Sequence, residues 1–142
     1  MSRYLLDTNV LSEFKRPSPD VNVYAWADVV NEEETYVSVV SLGELRFGVS
    51  LMPPSRRRTE LDAWLGDFVP KRFENRILDV TQAVAEAWGE LLAQAKREEV
   101  GLSVIDAYIA ATARVHGMIV VTRNVRDFRT FGLAILNPWL AS

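Results

Sequence analysis

The sequence predicts an α/β fold, a three-layer α/β/α sandwich with a central parallel sheet. Two observations lead there. Short runs of β-branched and other apolar residues alternate with longer segments whose apolar residues recur at helical spacing. Strands separated by helices pair in parallel through right-handed crossovers, and a sheet connected that way is covered on both faces. A length of 142 residues suits a single domain over residues 1–142. The pattern leaves the strand order open.

Each element has its own warrant. Arg3-Tyr4-Leu5-Leu6 reads as a short buried strand stopped at Asp7-Thr8-Asn9. A short helix follows to Phe14, and Pro17 and Pro19 break it. Residues 20–31 read as a helix with Val23, Trp26, Ala27 and Val30 on one face, and Glu32-Glu33-Glu34 as a turn. The β-branched content of residues 35–39 makes a strand. A helix from Leu42 to about Leu51 ends before Pro53-Pro54, and another covers roughly 56–68. Residues 77–80 make a third strand. Over 82–98, Val84, Ala87, Trp88, Leu91, Leu92 and Ala95 form one apolar stripe. Ser103 starts the next helix, which Gly117 stops as a left-handed cap. Residues 118–122 and 133–136 complete the strands, the last closed by Asn137-Pro138.

Composition narrows the function classes. Apolar residues make up 49% and charged residues 25%, enough for one core in a soluble protein. No apolar run approaches the roughly 20 residues that span a bilayer, and Met1-Ser2-Arg3 followed by Tyr4-Leu5-Leu6-Asp7 does not read as a signal peptide. The chain has no cysteine, which excludes disulfides and thiolate metal sites and suits a reducing cytoplasm. The net charge is −3, yet basic residues cluster locally: Arg56-Arg57-Arg58, Lys71-Arg72, and Arg123, Arg126 and Arg129. Such patches can hold a nucleic-acid backbone beside an acidic site. For Arg56 to Arg58 a solvated helix face is the expected reading.

The acids fall at informative places. Asp7 follows the first strand, Glu44 lies in the first helical turn after the second, and Asn124 and Asp127 follow the fourth. Ligands of open parallel sheets collect beyond the carboxyl ends of the strands, so these belong at one edge. Asp106 starts the helix feeding the fourth strand, and connectivity alone leaves its placement open. Carboxylates brought together repel unless a cation shares the site. Hard cations such as Mg²⁺ take oxygen ligands and, when bound, activate water and steady phosphodiester oxygens. That chemistry needs clustered Asp and Glu and no histidine. Each acid also has a plainer explanation. Asp7 can cap the helix beginning near Thr8, while Ser41-Leu42-Gly43-Glu44 and Ser103-Val104-Ile105-Asp106 both match the capping box.

Specific wording goes further than spacing. Leu5-Leu6-Asp7-Thr8-Asn9-Val10 resembles the opening of PIN domains. Val40 to Val49, with Glu44-Leu45-Arg46-Phe47-Gly48, resembles their second motif, and Ile105-Asp106-Ala107-Tyr108 to Ala113 the third. Val121-Thr122-Arg123-Asn124-Val125-Arg126-Asp127-Phe128 is similar to the fourth, and Asn137-Pro138-Trp139 to the tail of the VapC and FitB-like branches. The resemblance runs in order from residue 3 to residue 139. It implies the toxin of a type II toxin–antitoxin system: a Mg²⁺-dependent ribonuclease, with Mn²⁺ as an alternative ion, usually dimeric and inhibited by a small antitoxin encoded beside it. Operator DNA would be bound only through that antitoxin. By this resemblance Asp7, Glu44 and Asp106 form the catalytic and metal-binding triad, with Thr8 and Asn9 orienting Asp7 or a metal-bound water. Many relatives have an acid where Asn124 stands. Asn124 supplies hydrogen bonds but no charge, and Asp127, about one helical turn on, is either a further metal-site residue or a turn cap.

The remaining candidates have structural readings. His116, the only histidine, ends a helix where an imidazolium suits the helix dipole. Trp26, Trp64 and Trp88 read as core or interface, and Trp139 as core or stacking platform. Arg123 and Arg126 flank the proposed site and are candidates for substrate phosphate. Two rival functions stand beside the nuclease. One is a phosphotransferase or phosphatase using Asp7 as nucleophile, although that chemistry commonly shows a second Asp where Asn9 stands. The other is a DNA-bound regulatory scaffold acting with an antitoxin.

Overall fold

The structure is a computed structural model that describes residues 2–140. The expected domain over 1–142 is thus followed from Ser2 to Leu140, with Met1, Ala141 and Ser142 outside the described residues. Five parallel strands form one sheet in the order β3-β2-β1-β4-β5: β1 Tyr4–Leu6, β2 Thr35–Ser38, β3 Ile77–Leu78, β4 Ile119–Val121 and β5 Ile135–Leu136. The helices are α1 Thr8–Glu13, α2 Val21–Val29, α3 Val39–Leu51, α4 Arg56–Ala63, α5 Val69–Arg72, α6 Gln82–Arg97, α7 Val104–His116 and α8 Val125–Arg129.

Side-chain alternation along the strands separates two cores. Leu5 and Val120, paired in register, face one core with the partly buried Tyr36, Leu78 and Ile135. Val84 and Leu91 of α6, Ile109 of α7 and Phe128 of α8 pack there. Their neighbours Leu6 and Val121 face the opposite core with Val37, Ile77 and Leu136, covered by Val10 and Leu11 of α1, Trp26 of α2 and Val69 of α5. A period of two on strands buried on both faces requires this arrangement. Full burial of each such side chain contributes about 1.5–3 kcal/mol. The expected α/β/α sandwich is therefore the observed one.

The strand order supplies what the sequence pattern left open. The chain steps outward from β1 to β2 and β3, then returns to place β4 on the other side of β1. Adjacent connections diverge at the carboxyl ends of β1 and β4, leaving a crevice there. Among the described residues, no helix is long and apolar enough to cross a membrane.

Several boundaries differ from expectation. Helix α3 begins at Val39, directly after β2, and not at Leu42. Ser38 at the strand end has extended backbone angles, and its hydroxyl accepts from Val40 N–H at 3.0 Å. Ser41 is therefore no cap. It is fully buried, its Oγ has no hydrogen-bond partner among the described residues, and Glu44 lies in the second turn instead of the first. The helix expected to end near 68 continues through a π turn, Trp64–Phe68, into α5. Pro70, which lacks an N–H, sits where the bonding pattern changes from i→i+5 back to i→i+4. The Glu32–Glu34 turn is a 3₁₀ turn capped by the Asn31 side chain.

Arg56 to Arg58 also differ from a fully solvated face. Arg56 is exposed, but Arg57 donates to the Lys15 carbonyl and Arg58 to the Met52 carbonyl at 2.7 Å. Two of the three arginines thus tie helix α4 to other segments. Trp26 and Trp64 pack on the second core and Trp88 on the first, where its ring stacks on Tyr108 with centroids 4.8 Å apart. His116 closes α7 before the left-handed Gly117, and its carbonyl accepts from Arg3. That contact lies at the amino edge of the sheet, opposite the acids.

Candidate active site

Asp7 leaves β1 at the crevice. Its N–H donates to the Val121 carbonyl at 2.9 Å, extending the β1–β4 ladder by one residue and fixing where the side chain starts. Asp7 as a residue is 3% exposed. Oδ1 accepts from Thr8 N–H at 2.7 Å, and Oδ2 accepts from the Thr122 hydroxyl at 2.8 Å and from Asn9 Nδ2 at 3.4 Å. Asp7 is thus the cap of α1 and also a buried carboxylate held from α1 and from Thr122, the residue that follows β4. Burial pushes its pKa above the ordinary carboxylate range. The Thr122 hydroxyl and Thr8 N–H partly offset this, while the charges of Glu44 and Asp127 add to it.

Asp106 reaches the same cleft from the first turn of α7, because a helix that feeds parallel strand β4 begins at the carboxyl edge. Ser103 Oγ accepts from Asp106 N–H at 3.0 Å. The reciprocal bond of a capping box, from Ser103 N–H to the Asp106 carboxylate, is not formed among the described residues, so that carboxylate remains free of it. Its pKa is raised to about 6, first by burial and then by the charges of Asp7 and Asp127; the Ser103 hydroxyl opposes the rise and Glu44 adds slightly to it.

A polar cleft of about 460 Å³ contains Asp7, Glu44 and Asp106 together with Thr8, Asn9 and Asn124. Glu44 projects into it from α3. Asp127 does not line the cleft, but it stands close enough for its charge to raise both aspartates. It is held there by its neighbour Phe128, which is fully buried. Asn124 makes no side-chain cap to α8; its N–H donates to Thr122 Oγ1 at 3.0 Å. Arg123 lines the cleft, whereas Arg126 is exposed on α8 outside it. A larger, mainly apolar cavity of about 790 Å³ lies between α2 and residues 63–73 and contains none of these acids. The ionic chemistry therefore belongs to the smaller cleft.

Several residues of the site stand outside the candidates that the sequence motifs supply. Thr122 was visible only as part of a motif, yet its hydroxyl is the shortest contact to Asp7 Oδ2. Ser12, Glu13 and Arg16 also line the cleft. Ser12 stands four residues after Thr8, and Glu13 four after Asn9, so helical spacing from the first motif could have found them. Glu13 is 3% exposed and occupied: it accepts from Asp20 N–H at 2.8 Å and from Arg16 at 3.3 Å. Trp139, for which two readings stood open, packs on the second core and lines the cleft as well.

The donors suit a hard cation with incomplete protein ligation. Among the described residues, no three carboxylates or imidazoles converge closely enough to bind one ion directly. Mg²⁺ commonly keeps several waters and takes only one or two carboxylates, which Asp7 and Asp106 supply. Thr8 Oγ1 is buried at the cleft without a hydrogen-bond partner among the described residues, as expected of a group awaiting a water or ligand oxygen. None of Asp7, Glu44, Asp106 and Asp127 takes part in an ion pair among the described residues.

Comparison with known proteins adds an independent line. A family model, PIN domain, matches residues 4–132. The chain is 40% identical over 135 residues to VapC ribonuclease Y4jK of Sinorhizobium fredii, covering 95% of this chain and 96% of that protein. It is 37% identical over 135 residues to toxin FitB of Neisseria gonorrhoeae, with coverage of 95% and 97%. Among solved structures it matches a chain in the structure of FitAB bound to IR36 DNA fragment, with a TM-score of 0.91, 35% identity and coverage of 98% and 97%.

Proposed function

This chain belongs to the PIN-domain family, and on that premise we propose that it is the toxin of a type II toxin–antitoxin pair, an endoribonuclease hydrolysing RNA phosphodiesters with a divalent cation. One observation carries the reading: Asp7 and Asp106 share a polar cleft at the strand switch point, both with raised pKa and neither paired with a cationic side chain among the described residues. The relatives named as a ribonuclease and a toxin support it.

Asp7 and Asp106 would hold Mg²⁺, or Mn²⁺ in its place, with Glu44 contributing through a bound water, since no three carboxylates among the described residues converge on one ion. When bound, the ion supplies an activated water and stabilises charge on the phosphate oxygens. The chain's own groups do the positioning. Thr122 and Asn9 fix the Asp7 carboxylate, since two donors on one oxygen leave it little rotational freedom. Thr8 Oγ1 and the Asn124 side chain are available to hydrogen-bond water or a phosphate oxygen. Glu44, at the exposed side of the cleft, is placed to accept a proton from an attacking water.

The partners proposed are a cognate antitoxin, RNA as substrate, operator DNA through the antitoxin, and a second copy of the chain as homodimer, acting in the cytoplasm. The similar chain in the structure of FitAB bound to IR36 DNA fragment, an assembly in contact with DNA, supports a partner chain and DNA binding through it. A phosphotransferase using Asp7 as nucleophile fits less well, because the position two residues on, where that chemistry commonly has a second Asp, is Asn9, whose side chain donates to Asp7 Oδ2. The test is cleavage of RNA by the purified chain free of any partner. Cleavage is expected with Mg²⁺ or Mn²⁺ and not with EDTA. An intact, folded chain that leaves RNA uncut in both metals overturns the reading and favours the scaffold.

A further inference from the structure

We propose that Trp139 is a positioning residue that holds the Arg123 guanidinium at the mouth of the cleft, off the carboxylates, as the contact for a substrate phosphate. The inference rests on the reading that this cleft receives RNA, and it distinguishes Arg123 from the other arginines nearby.

Arg123 Cζ lies 5.3 Å from the Trp139 ring centroid. A guanidinium laid over an aromatic face uses its own face for that contact, and its N–H edge stays free to donate. Both components are fixed by the fold. Arg123 N–H donates to Asn9 Oδ1 at 3.4 Å, and the other end of the same amide donates to Asp7 Oδ2. Asn9 therefore links the arginine's backbone to the acid at the centre of the cleft. Trp139 N–H donates to Asn137 Oδ1 at 3.0 Å, its carbonyl accepts from Asn22 of α2 at 2.8 Å, and its indole packs on the second core.

Charge makes the arrangement informative. Arg123 lines a cleft that also contains Asp7, Glu44 and Asp106, yet it forms no ion pair among the described residues. A flexible guanidinium left to itself would collapse onto such carboxylates and neutralise them. The Trp139 face offers it another seat. Arg16 lines the cleft as well but is engaged by Glu13 at 3.3 Å, and Arg126 lies outside. Arg123 thus combines a free donor edge, a fixed backbone and a place beside the reacting centre, the properties that suit arginine to bidentate recognition of phosphate.

The test measures the Kd of a fluorescent single-stranded RNA by anisotropy, in Ca²⁺ and over a range of salt, for the full chain and four variants. Arg123→Gln and Trp139→Leu are each expected to weaken binding about tenfold, the scale of one charge-assisted contact. Each should flatten the salt dependence by about 0.7 in log–log slope, one phosphate contact on a single strand. Trp139→Phe keeps a ring face and should recover most of the affinity. The double variant Arg123→Gln/Trp139→Leu should be no weaker than Arg123→Gln alone. Additive losses, an unchanged salt slope in Trp139→Leu, or no recovery in Trp139→Phe would reduce Trp139 to a packing residue. If Trp139→Leu does not fold, the Phe variant and Arg123→Gln decide the matter. Cleavage by the wild type in Mg²⁺ is scored separately. A chain that cuts RNA while Kd is indifferent to both residues overturns this inference alone. One that binds through the pair without cutting overturns only the nuclease reading, and one that neither binds nor cuts overturns both.

Discussion

Asp7 carries two roles that a single substitution can separate. Asparagine is nearly isosteric; its amide nitrogen meets the Thr122 hydroxyl as donor and gives up the long contact from Asn9 Nδ2, but it keeps an oxygen for Thr8 N–H, so capping survives Asp7→Asn. The charge does not. Cleavage should fall by about a hundredfold or more, a loss on the scale of removing a group that acts on the transition state, while the melting temperature holds or rises. Full cleavage by folded Asp7→Asn would remove Asp7 from the site. At Asp127 the expectation is a charge effect without direct contact, because it raises the pKa of Asp7 and Asp106 from beside the cleft. Asp127→Asn should weaken cleavage most at low Mg²⁺ and be partly rescued by excess metal. Asn124→Asp, nearer the strand end, should lower the Mg²⁺ requirement. Metal titrations giving the wild-type dependence for both would take residues 124–127 out of the reaction. The motifs made Asp7, Glu44, Asp106 and Asn124 legible as candidates because each sits at a fixed offset from a strand or helix start. Thr122 Oγ1 on Asp7 was not legible, since that contact depends on β4 lying beside β1 and the chain pattern leaves strand order open.

Among the elements, α3 shows how local reading can find the right helix and the wrong start. Ser41 and Glu44 have capping-box spacing, but Ser38 already ends β2 in an extended conformation and accepts from Val40 N–H, so the helix begins three residues earlier. This makes a paired prediction. Ser38→Ala should cost about 1 kcal/mol, the usual value of a lost N-cap. That corresponds to a fall of about 2–4 °C in Tm for a chain of this size. Ser41→Ala should be neutral or mildly stabilising, since it removes a buried hydroxyl with no partner. Thermal unfolding of the two variants decides between the starts, and the reverse order of effects would restore Ser41 as the cap. Helix α7 is the contrasting case, with Ser103 and Gly117 bounding it as their chemistry predicts. Long amphipathic segments such as α6 and α7 were readable because many residues vote for one period. The π turn at Trp64–Phe68 and the two-residue strands β3 and β5 were not fully readable, because tertiary packing defines them more than local propensity. Trp139 and Asn22 meet across the chain for the same reason.

At the scale of the whole molecule, the site is a place where folding works against charge. Asp7 and Asp106 both bind protons more readily in the folded chain than in the unfolded one, Asp106 with a pKa of about 6 against an ordinary 3.8. For a carboxyl whose folded pKa is raised, the folded state holds more protons within the window between the two values, so stability falls as pH rises through it. The contribution of Asp106 is therefore most favourable below about pH 4, declines up to about pH 6, and is least favourable above that. In EDTA, the wild type should lose more stability than Asp106→Asn as pH is raised from 5 to 7.5. Adding Mg²⁺ at pH 7.5 should offset part of that loss by mass action, because an ion that binds only the folded state raises Tm with its concentration. Asp106→Asn should show a smaller pH dependence and a smaller Mg²⁺ shift together, since one carboxylate underlies both. Melting curves of the two proteins at the two pH values, with and without Mg²⁺, provide the measurement. If the pH dependence shrinks in Asp106→Asn while the Mg²⁺ shift stays equal to that of the wild type, the raised carboxyl is a consequence of burial and the ion binds elsewhere.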